Sequence, residues 1–191
     1  MHAIEPFYGW RDDYIASEDK LSPFYRRQYN EFEYTSKIYN YYIHPQWDSF
    51  GSSTLYCKIL FADYEAGYCI VELLGEWNDT LHNDMMELKN TVINPLVNQG
   101  ITKFILLGEN VLNFHASDEL YFEEWYDDIK DEGGWIAAIN FREHVAEEMQ
   151  AAKIHHYLHI APSENDLPWR KFKPADLFLL IEAGLQKYLN L

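Results

Sequence analysis

The sequence predicts an α/β fold: a mixed sheet with crossover helices, preceded by an aromatic N-terminal extension and followed by a C-terminal helix. Three observations carry this. Residues 55–75 hold two alternating apolar rows around a turn, the pattern of a strand hairpin. Residues 104–108 and 135–140 are short, continuously apolar runs, the mark of central strands buried on both faces. Stretches of helical spacing separate these strands. Strands apolar on both sides need cover on both sides. Crossover helices shield one, which leaves the aromatic extension and the last helix for the other.

Residues 1–53 form the extension. They hold eight of the fifteen tyrosines, with Phe7, Trp10, Phe24, Phe32, Trp47 and Phe50 among them. The spacing of Tyr25, Tyr29 and Phe32 predicts a helical stripe within 24–39. Residues 39–48 read as extended and 48–53 as turn-prone. Residues 54–160 form the α/β domain. Leu55, Cys57, Ile59 and Phe61 alternate with Tyr56, Lys58 and Leu60; residues 63–67 turn, and 68–75 return. Antiparallel pairing about that turn sets Cys57 opposite Glu72 or Leu73, and Cys69 near Leu60. Both cysteines therefore read as buried free thiols rather than a bridge.

Asn78, Asp79 and Thr80 offer cap oxygens to a helix with apolar Leu81, Met85, Leu88, Val92 and Leu96. Pro95 predicts a kink and Gly100 the end. After the run at 104–108, residues 109–116 read as a loop, and Ser117 and Asp118 as caps of a helix carrying Phe122, Trp125, Tyr126 and Ile129 on one side. Gly133-Gly134 breaks it. A helix over 142–153 and a short strand at 157–160 complete the domain. Residues 161–191 are a Pro-rich loop and an amphipathic helix with Leu177, Leu180, Ile181, Leu185 and Tyr188 on its apolar side.

Bulk properties narrow the function classes. Thirty-one acidic residues against 15 basic ones give −16, a field that repels phosphate backbones, so nucleic acid and anionic membrane surfaces are excluded as partners. No signal-peptide stretch opens the chain, and no apolar run reaches the ~20 residues of a membrane span. Two cysteines make no disulfide framework. The expected setting is soluble and cytoplasmic.

The order of elements, with certain short motifs, resembles the STAS domain, the fold of bacterial anti-sigma-factor antagonists and of the cytoplasmic tails of sulfate transporters. The motifs are Leu73-Leu74-Gly75-Glu76 at a strand end, Gly100-Ile101 before an apolar strand, and Asn113-Phe114 before a helix. Gly133-Gly134 before a strand, then Asn140 and a helix containing Val145, complete the set. The resemblance covers about residues 55–160. It implies a bacterial, non-enzymatic regulatory module that binds a protein partner; the aromatic arm separately offers a surface for pairing two copies as a homodimer. The module's partner loop falls on Asn113, His115, Ser117, Asp118 and Glu119. Phosphorylatable members carry Asp-Ser-Ser-Gly where this chain has Ala116-Ser117-Asp118-Glu119. A carboxylate stands where the resemblance would put the phosphoacceptor, and a dianion on Ser117 would meet like charge. This departure from the family motif, and not the resemblance itself, leads to the expectation of a module without phosphoserine switching.

Beside this stands a second reading, a small-molecule binder or enzyme with a pocket between the arm and the sheet. Tyr41, His44, Trp47 and Asp48 are its lining candidates, joined by His115, since a His–Asp pair can serve as base and orienter. No nucleophile elbow, Gly-rich phosphate loop or paired-Cys motif is present, so no catalytic residue and no cofactor is assigned. His155, His156 and His159 have spacing for a helical metal pair, but the segment also fits a helix end running into a strand, where the side chains diverge. No metal is assigned. Glu123, Glu124, Asp127, Asp128, Asp131 and Glu132 read as a solvated acidic helix face, with docking of a basic partner as the sharper alternative.

Overall fold

The structure, a computed structural model, describes residues 4–160 and 167–189. Among them a four-stranded sheet runs in the order β3 (Leu55–Asp63), β4 (Tyr68–Asn78), β5 (Lys103–His115), β6 (Trp135–Ile139). The hairpin β3–β4 is antiparallel, and β4–β5 and β5–β6 are parallel, so the sheet is mixed. A separate two-stranded ribbon pairs β1 (Lys37–Ile38) with β2 (Tyr41–Tyr42). Cys57 faces Leu73 as expected, while a bulge at Ile59/Phe61 shifts Cys69 from Leu60 to Ala62. Both thiols are buried and free, and burial raises both.

The β4–β5 crossover contains α1 (Asp79–His82), α2 (Asp84–Leu88), a π segment at Lys89–Ile93 and α3 (Asn94–Val97). Asn78 caps its start by accepting the Leu81 N–H. Asn83, at φ 51, separates α1 from α2. The wide turn falls just before Pro95, which has no N–H to give and crowds the preceding turn. α4 (Leu120–Lys130) links β5 to β6, and α5 (Glu143–Ala151) follows β6. These helices cover one face. Met85, Leu88, Val92, Phe122, Trp125, Ile129, Val145 and Met149 close over Cys57, Val71, Leu73, Phe104, Leu106, Ile136 and Ala138.

The opposite face carries Tyr68, Ile70, Ile105, Leu107, Ala137 and Ile139. Trp10, Trp169 and α6 (Pro174–Leu189) cover it through Leu177, Phe178, Ile181 and Leu185. The Trp10 indole N–H donates to the Phe172 carbonyl at 3.0 Å. Thus chain-terminal segments do cover the second face, although Phe24 and Phe50 of the extension join the helix-covered core instead.

Two glycines are required by contact. Gly75 has φ +128, and a Cβ there would lie 2.0 Å from the Thr54 carbonyl oxygen. A Cβ on Gly108 would meet the Phe141 ring at 2.4 Å.

Several expectations need correction. Residues 109–115 are not a loop: β5 runs on to His115, because Val111, Asn113 and Phe114 pair with the extension of β4 through Asn78. No helix forms around Tyr25, Tyr29 and Phe32; Arg26 adopts φ 61, and Phe32 is 93% exposed. Residues 157–160 contribute one bridge, Ala137 with His159, after a 3-10 turn at Ile154–His156. Leu180 faces outward and Phe178 takes its place in the core. Leu81 also faces solvent rather than the sheet. The Tyr188 side chain and residues 161–166 of the expected loop lie outside the described residues.

Candidate functional site

Parallel strands β4 and β5 end together, with Asn78 opposite His115, so the chain leaves the sheet twice at one place. From β4 it enters α1, and from β5 it passes through 116–119 into α4. The Thr80 hydroxyl ties the two exits by donating to the Ala116 carbonyl at 3.0 Å. Asp118 turns the chain into α4 by accepting the Leu120 N–H at 3.1 Å; Ser117 is exposed beside it. His115 lies 3.4 Å from a Glu76 oxygen, and the Asn113 amide donates to the Tyr39 hydroxyl at 2.9 Å. Asn113 and His115 are thus strand residues, and only Ser117, Asp118 and Glu119 stand in the crossover itself.

Under this surface two carboxylates are buried. Asp84 accepts the Asn78 N–H at 2.7 Å and the Thr54 hydroxyl at 3.1 Å. Asp79 accepts the Met85 N–H at 2.6 Å. Burial pushes the Asp79 carboxyl up to about 6; Asp84 and Asp118 add to the rise, and the Met85 N–H opposes it. Above them, Leu81 is 73% exposed and Leu120 is 51% exposed. Asp118, Glu119 and Glu123 supply carboxylates around Leu120.

The four residues read as a pocket occupy different surroundings. Tyr41 lines a cavity of about 240 Å³ with Ile38, Tyr42, Ile43, Leu74 and Leu112. His44 accepts the Gln46 N–H and lies 3.7 Å from Glu5. Trp47 is buried, its indole N–H on the Ile4 carbonyl. Asp48 is fully buried and already engaged by Arg27 and Lys58, each at 3.1 Å, and by the Tyr29 hydroxyl at 2.6 Å. His115 is on β5, paired with Glu76. Asp48 therefore orients no histidine: its oxygens are taken up by two cations and a phenol.

No protein-family model and no curated protein matches the chain. Solved structures do. A Thermotoga maritima protein described as an anti-sigma factor antagonist is 19% identical, over 56% of this chain and 87% of its own, with a TM-score of 0.41. The solution structure of the protein TM1081 is 18% identical, over 66% and 88%, also at 0.41. The Bacillus cell fate determinant SpoIIAA in its phosphorylated form is 12% identical, over 56% and 93%, at 0.39. The architecture itself rests on the strand order and register given above.

A polar band across the second face escaped the sequence reading. Glu72, 2% exposed on β4, accepts the Phe7 N–H at 2.8 Å and lies 3.7 Å from Arg170. Glu109 accepts from Arg170 at 2.6 Å, from the Trp169 indole at 2.8 Å and from the Asn140 amide at 2.9 Å. Burial holds the Glu72 carboxyl up at about 7; Phe7, Arg170 and Asn110 pull it down and Glu109 raises it. Burial raises Glu109 too, yet its donors Asn140, Arg170 and Trp169 outweigh that and leave it below its usual value. One signal was visible: Glu72 is the one charge within the apolar run of residues 68–75. Nothing in the sequence pointed to Arg170 as its neighbour.

The acidic face of α4 is partly paired. Lys89 reaches Asp128 at 2.9 Å and Glu124 at 3.5 Å, and Lys130 meets Asp127 at 2.6 Å. The rings of His155 and His156 are 4.3 Å apart, but the 3-10 turn breaks the helical spacing that a His155–His159 metal pair would need. Among the described residues no helix is long and apolar enough to cross a membrane.

Proposed function

We propose that this chain is a non-enzymatic regulatory module that docks another protein where the β5–α4 crossover meets the start of α1. One observation supports it above others: Leu81 and Leu120 project from two helix starts that the Thr80–Ala116 bond holds together. Single exposed leucines are ordinary. Two at one junction, next to Asp118, Glu119 and Glu123, make an apolar spot with a charged rim, the layout of a small interface. Covering the exposed part of both is worth about 2–4 kcal/mol. The rim and the net charge of −16 favour a partner whose apolar knob is ringed by Lys or Arg.

The family resemblance in the sequence agrees with this reading. Phosphoserine switching is no part of it. A phosphate on Ser117 would add about two negative charges beside Asp118 and Glu119, with Asp79 and Asp84 behind them.

The test compares the wild type with a Leu81→Asp/Leu120→Asp variant as bait in native lysate, after cross-linking. Both positions are exposed, so the variant should melt like the wild type. Proteins captured by the wild type and lost from the variant support the proposal. The same proteins captured equally by both refute it. Light scattering identifies a second copy as the partner if the wild type has twice the mass of the variant.

A further inference from the structure

We propose that a cavity between the N-terminal arm and edge strand β3 binds a small planar carboxylate, with Arg11 as the group that pairs with it. The site is separate from the docking surface. The cavity, of about 200 Å³, is walled by Phe7, Trp10, Tyr14 and Tyr29, with Arg11 and Lys58 as its charged members. Among the described residues no Asp or Glu lines it, in a chain with twice as many acids as bases. The cavity is thus a local reversal of the protein's charge.

The two cations differ in what they have left to give. Lys58 is spent: its ammonium is 3.1 Å from Asp48 and 4.0 Å above the Tyr29 ring. Asp48 in turn holds Arg27 and the Tyr29 hydroxyl on one oxygen and Lys58 on the other, so both of its oxygens are engaged. Arg11 is exposed, and among the described residues its guanidinium makes no hydrogen bond or ion pair. Burial holds the Lys58 ammonium below its usual range, and Arg11 pushes it the same way. A carboxylate bound here would relieve that repulsion. It would also fit the planar donor fork of a guanidinium, which takes two carboxylate oxygens at once.

Size restricts the rest of the ligand. At about 200 Å³ the cavity is below the ~300 Å³ at which sites for drug-sized molecules begin. A nucleotide does not fit. A single ring bearing a carboxylate does, its faces against the aromatic walls.

The experiment titrates benzoate, benzamide and inorganic phosphate into the full chain, read by calorimetry and by tryptophan fluorescence, Trp10 being in the wall. Benzoate should bind, with benzamide and phosphate each weaker by about tenfold or more. Arg11→Gln should weaken benzoate by about tenfold, or about 1.4 kcal/mol, with no change in melting temperature, and Arg11→Lys should recover part of it. The proposal is overturned if the wild type does not bind benzoate or if Arg11→Gln binds it equally well. It is also overturned if benzamide or phosphate binds as tightly, because the site would then read shape alone or charge alone.

Discussion

The two faces of the sheet are closed in different ways. On the helix-covered face Trp77, Phe114, Phe122, Phe104 and Trp125 meet ring against ring, with centroids 5.0 to 6.3 Å apart. On the other face apolar packing is interrupted by Glu72, Glu109, Asn140 and Arg170. The crossover helices lie between strands they connect, so short links deliver them to the sheet and an apolar stripe is enough. The arm and residues 167–189 connect no pair of strands in the sheet. Their position is set by directional bonds: Phe7 to Glu72, Trp169 and Arg170 to Glu109, and Leu167 to Asn140 at 2.9 Å. Apolar contact supplies adhesion, and polar contact supplies register.

This contrast breaks most directly through the larger core. Trp125→Ala removes a fully buried indole edge-on to Phe104. It should cost about 3–5 kcal/mol, by the same amount at pH 5 and pH 8, since no titrating group is involved. Denaturant melts at the two pH values check this; a pH-dependent loss would mean that the faces are coupled.

The second face should answer to pH. The folded value of Glu72, about 7, lies above its ordinary 4.5. The contribution of this group is therefore fully present below about pH 4.5 and is lost as pH rises through about 7. Glu72→Gln keeps an acceptor for the Phe7 N–H without the charge. It should be more stable than the wild type at pH 8 by on the order of 2–3 kcal/mol, with the advantage gone near pH 4.5. Equal pH slopes for variant and wild type would show that Arg170 and Phe7 fully neutralise the carboxylate.

The same contrast explains what the sequence disclosed. Alternation at Leu55, Cys57 and Ile59, the run Phe104-Ile105-Leu106-Leu107, and the spacing of Phe122, Trp125 and Ile129 are periodic signals, and all three led to the right elements. The second half of β5 was missed because Glu109, Asn110 and Asn113 look like loop chemistry. They belong to the polar band and to the Tyr39 contact, neither of which has a period. The arm was misread for a related reason. Tyr25, Tyr29 and Phe32 have helical spacing, but Tyr29 is directed to Asp48 and Lys58, and Phe32 to solvent. At the candidate site, Ser117, Asp118 and Glu119 were located by motif order. The outward turn of Leu81 was not, because Asn83 at φ 51 ends α1 before Leu81 can join the stripe of Met85 and Leu88.

The independence of the two covers is tested most directly by hydrogen exchange of the native protein at pH 5 and pH 8, corrected for intrinsic rates. Opening the arm exposes Glu72 and returns it to its ordinary affinity for protons. Protection in residues 7–14 should therefore fall at pH 8, that in 122–129 should stay constant, and Glu72→Gln should abolish the difference. Protection that shifts equally in both segments, or in neither, would contradict a sheet whose second face is fastened through that carboxylate.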